Sequence, residues 1–157
     1  KKSDIKLVIA GEPRRIMKDY NNKLKETIEL KKISKNVLWT GNLNDMEMKW
    51  CFQHCIAFVM TTRVEACPNT ALEALSNGCI SIAADNPPLP EIFRDSAFYY
   101  PPGDGRYLAG IIEQIVNYDD IMKNKISESA RRRASYFSRH VTVKKTVEEL
   151  LKANELS

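Results

Sequence analysis

Apolar residues follow two rhythms along this chain. Short unbroken runs at Lys6 to Ala10 (KLVIA), Ile56 to Met60 (IAFVM) and Cys79 to Ala84 (CISIAA) have the length and hydrophobicity of strands covered on both faces. Val37 to Thr40, stopped by Gly41-Asn42, and Ala97 to Tyr100 (AFYY) read as two further strands. Between them the spacing is helical. Ile16, Tyr20, Leu24 and Ile28 recur every fourth residue after Pro13, a residue at home in a first helical turn. Asp45 to His54 predicts a second helix, with Trp50, Cys51 and Cys55 on its buried side. A short helix runs through Leu75 and is closed by Asn77-Gly78. Pro87, Pro88 and Pro90 punctuate a loop before a helical turn around Glu91 to Phe93, where Glu91 is expected to cap. Leu108, Ile111, Ile112, Ile115 and Val116 form a clear helical stripe, Ile121 to Phe137 a basic helix with a thinner apolar edge. Val143, Val147, Leu150 and Leu151 repeat the stripe near the end, where it predicts an apolar patch able to drive dimerisation.

Strands alternating with helices imply βαβ units, and right-handed crossovers make the sheet parallel. The expected class is therefore α/β, a doubly wound, Rossmann-like parallel sheet, with residues 1–157 as a single domain. Ligands of such sheets bind at the carboxyl ends of the strands. That rule singles out Gly11-Glu12, Gly41-Asn42-Leu43, Thr61 to Asn69 and Asp85 to Pro90. Neither a GxGxxG turn after the first strand nor a Walker A loop is present, which counts against a nicotinamide enzyme or a P-loop kinase.

Composition narrows this further. Of 157 residues, 43% are hydrophobic and 28% charged, which suits a folded chain rather than a disordered one. No apolar run approaches the roughly 20 residues of a membrane span, and no leader-like segment precedes the first strand. A soluble cytoplasmic domain is expected. The net charge of +4 is spread over what read as solvated helix faces, Arg131-Arg132-Arg133 included, so nucleic acid is not expected as a partner. The middle of the chain is acidic instead: Glu65, Glu73, Asp85, Glu91, Asp95 and Asp104 face only Arg63 and Arg94. Four cysteines without a secretory signal read as reduced thiols. Cys51, His54 and Cys55 lack a fourth ligand at zinc-like spacing, so no metal site is expected. His140 reads as exposed, and two histidines without a GxSxG elbow give a Ser-His-Asp hydrolase no support. Trp39, Trp50 and Tyr99-Tyr100 read as core or half-core residues.

The chemistry concentrates in Val64-Glu65-Ala66-Cys67-Pro68-Asn69-Thr70-Ala71-Leu72-Glu73-Ala74-Leu75, directly after the third strand. A helix starting near Pro68 would aim unpaired N–H groups at the strand ends, where they suit a phosphate. The plainer reading makes Thr70-x-x-Glu73 a capping box and Glu65 a solvated loop carboxylate. Both readings are open on spacing alone.

Glu65-x7-Glu73 in this setting resembles the E-x7-E motif of retaining glycosyltransferases of the two-domain GT-B fold, most like glycosyltransferase family 4. KLVIAGE, VLWTGNL, VEACPNTALEALSNGCISIAADNPPLPEI and DSAFYYPPGD, with the LAGIIEQIV helix behind it, resemble the family's blocks over nearly the whole chain. The resemblance implies the C-terminal, donor-binding half of a GT-B enzyme that moves a sugar from a nucleotide-diphosphate sugar to a glycan, lipid or small-molecule acceptor. It implies no cofactor. Glu73 would accept hydrogen bonds from the ribose hydroxyls, and Glu65 would hold the donor sugar. N–H groups of Ala66, Cys67, Pro68, Asn69 and Thr70 (Pro68 contributing backbone shape, since it has none) would surround the diphosphate, with Thr62 nearby. Gly41 and Leu43 would border the base. Peripheral membrane contact of the whole enzyme stays open, as does a non-catalytic nucleotide or sugar-phosphate module on the same fold.

Ala66-Cys67 stands where many members of that family have Gly-Phe, which tightens access to the phosphate. The family's diphosphate-clamping Arg and Lys, and its N-terminal acceptor domain, would precede Lys6, so the expectation is a domain lacking its first strand-helix unit. Such a piece is expected to bind nucleotide weakly and not to turn over alone.

Overall fold

The computed structural model describes residues 5–12, 15–62, 64–66 and 68–155. Its contacts divide the chain into two compact units, Lys1–Met48 and Lys49–Ser157.

In the first unit β1 (Leu7–Ala10) pairs in parallel with β2 (Val37–Gly41), Leu7 opposite Val37 and Ile9 opposite Trp39. The register shifts after Ile9, because Gly41 turns to φ 66° and the Gly11 N–H donates to its carbonyl at 2.8 Å. Between the strands run a 3-10 turn (Arg15–Met17) and α1 (Lys18–Leu30). The start expected at Pro13 lies outside the described residues. Ile28 is buried and Leu24 half-buried, but Ile16 and Tyr20 are exposed. β1 is likewise not covered on both faces: Leu7 and Val8 are exposed. A sheet of two strands beside one amphipathic helix has too little surface to enclose every apolar residue it carries.

α2 (Asp45–His54) starts in the first unit and ends in the second. Its start is a reciprocal cap: the Glu47 N–H donates to Asn44 Oδ1 at 3.0 Å and the Asn44 N–H to Glu47 Oε2 at 2.8 Å. The buried residue of this helix is Phe52, which meets Phe58 edge-on. The expected buried side of Trp50, Cys51 and Cys55 is corrected accordingly. Trp50 and Cys55 are exposed, Cys51 is half-buried, and Trp50 stacks on His54 at 4.4 Å. Phe52 is the larger fully apolar surface and wins the interior.

The second unit is built on three parallel strands in the order β3 (Phe58–Met60), β4 (Ser81–Ala84), β5 (Ala97–Tyr100). Every residue of central β4 is buried, as its unbroken apolar run requires. α3 (Asn69–Ser76) connects β3 to β4; α4 (Leu89–Phe93) and a 3-10 turn (Arg94–Ser96) connect β4 to β5. α5 (Gly105–Val116), α6 (Asp120–Ser135) and α7 (Arg139–Glu155) follow. Leu75, Ile82, Leu89, Phe93 and Ile115 form the centre of the core. The α5 stripe behaves as its spacing predicts: Ile111 and Ile115 are buried, Leu108 and Ile112 pack beside them. The α7 stripe is exposed at Val143, Val147, Leu150 and Leu151. Both units are α/β, and every strand pair among the described residues is parallel, the expected Rossmann-like class.

Candidate functional site

The Glu65–Glu73 segment lies where the parallel-sheet rule directs, at the carboxyl end of β3. β3 ends at buried Met60, and Thr62, half-buried, donates from Oγ1 to the Val64 carbonyl at 3.2 Å. Val64, Glu65 and Ala66 are exposed. Arg63 and Cys67 lie outside the described residues, so the role implied for Cys67 has no structural description.

Pro68 is buried and extended, φ −75° and ψ 100°, and serves as the N-cap of α3 rather than a residue of its first turn. Its carbonyl accepts from the Ala71 N–H at 3.0 Å. The N–H groups of Asn69 and Thr70 find no acceptor among the described residues. With the helix starting at Asn69, Thr70 sits inside the first turn and the expected Thr70–Glu73 capping box does not form. Box geometry needs its hydroxyl residue at the N-cap, and Pro68 occupies that place.

α3 buries Ala71, Ala74 and Leu75 and turns Asn69, Thr70 and Glu73 outward. Residues three and four apart share a helix face, and helical side chains lean towards the N-terminus. Glu73 therefore stands over Asn69 and Thr70, on the side of their N–H groups. Neither its carboxylate nor that of Glu65 accepts a hydrogen bond from a described residue. Gly41 and Leu43, both half-buried, lie in the first unit at the end of β2 and just beyond it.

The far ends of the helices are fastened by α6, which sequence reasoning missed. Ser127 Oγ donates to the Gly78 carbonyl at 2.8 Å and Arg131 Nη2 to the Asn77 carbonyl at 3.5 Å, closing α3. Arg133 closes α4, donating from Nε to Ile92 at 2.7 Å and from Nη2 to Glu91 at 2.6 Å. Guanidinium groups at helix C-termini complete unpaired carbonyls and complement the helix dipole. Arg133 is thus not part of a solvated face. Burial, and then the nearby Arg94, hold its pKa below the usual arginine value. Glu91 makes no cap through its carboxylate; its carbonyl is what Arg133 uses. The signal for this was in the chain: Asn77-Gly78 leaves carbonyls open, and Ser127 and Arg131 are four apart, on one helix face.

In the loop after β4 the Asp85 N–H donates to the Tyr100 carbonyl at 2.9 Å. The neighbouring Tyr99 hydroxyl donates to the Arg94 carbonyl at 2.6 Å, and burial followed by the charge of Asp85 pushes its pKa up to about 12. A cavity of about 560 Å³ opens elsewhere, beside Cys55, Ile56, Cys79 and Ile80 at the amino ends of β3 and β4; no residue from 61 to 73 lines it. Among the described residues no group of three or more His, Cys, Asp or Glu is arranged to hold a metal ion. No helix among them is long and apolar enough to cross a membrane.

The family model described as "Glycosyl transferases group 1" matches residues 1–133. No curated protein sequence matches the chain significantly. Among solved structures, a glycosyltransferase from Rickettsia africae is similar over 98% of this chain and 41% of its own, with a TM-score of 0.86 and 21% identity. Anabaena HepE in complex with UDP is similar over 95% of this chain and 41% of its own, with a TM-score of 0.82 and 22% identity; HepE has also been crystallised with UDP-glucose. Sucrose-phosphate synthase from Thermosynechococcus elongatus is similar over 94% and 38%, with a TM-score of 0.74 and 18% identity. The chain spans about two fifths of the length of each of these proteins.

Proposed function

The chain belongs to the glycosyl transferases group 1 family, and from that premise we propose that it is the nucleotide-sugar donor-binding half of a retaining glycosyltransferase, most like family 4. The observation that carries the proposal is the pair Glu65 and Glu73 around the start of α3, both exposed and, among the described residues, without a hydrogen-bond partner for their carboxylates. A capping box would have used Glu73 internally; none forms, and that favours the ligand reading.

In this reading the Glu73 carboxylate accepts hydrogen bonds from the ribose hydroxyls, a task suited to two acceptor oxygens. Glu65 holds hydroxyls of the donor sugar and positions its anomeric carbon. The N–H groups of Asn69 and Thr70, with that of Ala66 in the preceding loop, receive the diphosphate, and Thr62 contributes a nearby hydroxyl. As the glycosidic bond to the diphosphate breaks, negative charge grows on the leaving group and positive charge on the sugar. Preoriented N–H dipoles stabilise that leaving group without reorganising, which lowers the barrier. The roles of Gly41 and Leu43 at the base, and of Cys67, rest on the family resemblance. That HepE takes UDP and UDP-glucose supports a uridine nucleotide as the first donor to try.

Calorimetric titration of UDP, GDP, ADP and their sugars into the protein tests the proposal. One nucleotide should bind, and Glu73→Ala should weaken it by about 10- to 100-fold, the range for a lost charged hydrogen bond. Glu65→Ala should spare the free nucleotide and weaken the nucleotide-sugar. Unaltered nucleotide binding in Glu73→Ala would sink the ribose role.

A further inference from the structure

Away from the donor segment, two cysteines meet in the second unit. Cys55 follows the C-terminus of α2, and Cys79 lies in the turn between α3 and β4. Their Sγ atoms are 3.9 Å apart. Both thiols also point at one acceptor, the Phe52 carbonyl, at 3.0 Å from Cys79 and 3.5 Å from Cys55. Cys55 is exposed and Cys79 buried, and both line the cavity at the amino ends of β3 and β4, with Lys123 and Arg131 on its wall.

From this juxtaposition we propose that Cys55 and Cys79 are a redox-active dithiol, Cys55 the attacking and Cys79 the resolving thiol, which hydrogen peroxide converts to an intramolecular disulfide. The cavity admits the small oxidant. The Cys55 thiolate attacks one peroxide oxygen, the O–O bond breaks, and the other oxygen leaves as hydroxide and takes up a proton as water. Cys55 is then a sulfenic acid. Cys79 sulfur attacks the Cys55 sulfur, the S–O bond breaks, and a second water leaves with the Cys79 proton. The two thiols lose two electrons, and the peroxide is reduced to two waters.

The division of roles follows from the surroundings. Attack requires exposure and thiolate character. The contact with the Cys79 thiol lowers the pKa of Cys55, whereas the same contact and burial push Cys79 up. Cys51, in α2 one turn before Cys55, is half-buried and has no thiol partner among the described residues. The cross-link would close a loop holding β3, Glu65, Pro68 and all of α3, and so staple the segment that carries the proposed donor residues. This inference does not depend on what that segment binds.

The test treats the reduced protein with hydrogen peroxide, then maps non-reduced peptides. The expected product is a Cys55–Cys79 cross-link lighter than the dithiol by two hydrogens and reversed by a dithiol reductant, with a thermal midpoint raised by several degrees. In Cys79→Ser a sulfenic-acid trap such as dimedone should label Cys55; in Cys55→Ser it should leave Cys79 unlabelled. A cross-link between Cys51 and Cys55, or an unlinked protein oxidised at Cys55 alone, overturns the proposal. Because the wild-type map decides the pairing, the outcome does not depend on either variant folding.

Discussion

Gly78 shows how much one residue can decide at the C-terminal end of α3, the end opposite the proposed donor residues. Its φ of 75° suits glycine, and a Cβ there would collide with Ser127 Oγ and come within 2.7 Å of the Arg131 guanidinium carbon. Those are the groups that close α3, so they cannot withdraw without reopening carbonyls. Gly78→Ala should cost about 1–3 kcal/mol of stability, measured by urea unfolding. Tyr99 offers a second test at this scale. Its folded pKa of about 12 lies above the ordinary tyrosine value of 10.0, so between the two the folded state keeps a proton the unfolded chain has lost. Stability should therefore be unaffected by this group below pH 10 and fall as pH rises from 10 towards 12. Tyr99→Phe should remove that share of the slope, and tyrosinate absorbance should titrate late in the wild type. The identities of Gly78 and Tyr99 were plain in the chain. The partners of Gly78 were not, since Ser127 and Arg131 come from a helix about 50 residues later, whereas the Tyr99 hydroxyl bonds to Arg94, five residues away.

At the scale of elements, local chemistry and spacing were legible wherever they acted within a few residues. α5 begins at Asp104 because its Oδ1 accepts from the N–H groups of Arg106 at 3.1 Å and Tyr107 at 2.9 Å. Asp104→Ala should lose about 1 kcal/mol, with a lower unfolding midpoint and unchanged slope against denaturant. Ile115, wholly buried on the same helix, should cost about 2–5 kcal/mol on truncation to alanine. Helix α3 is where local reading went astray. Thr70 and Glu73 have capping-box spacing, but buried Pro68 takes the N-cap and moves the helix start towards the strand. That shift leaves Glu73 outward and, among the described residues, unpaired, which favours the ligand reading the box would have weakened. α2 went astray differently: Trp50 and Phe52 are two apart and cannot share a face, and the contact with Phe58 selects Phe52.

Over the whole molecule the two units differ in what they bury. Ile28 is the buried residue among those described in the first unit, whereas β4 and its neighbours enclose the core of the second. Amide hydrogen exchange should therefore be slowest in β4 and the buried face of α3, and clearly faster in β1 and β2. Equal protection in β1 and β4 would contradict this ranking. The sequence by itself determined the parallel α/β class, the order of strands and helices, and the position of the Glu65–Glu73 segment after β3. Periodicity, strand length and turn residues are local, and a parallel strand order follows from them. Tertiary structure decided which apolar face is enclosed, which helix end is closed by which arginine, and which two of the cysteines meet. Those outcomes depend on competition for a shared interior between residues far apart in the chain, and no local spacing encodes its winner.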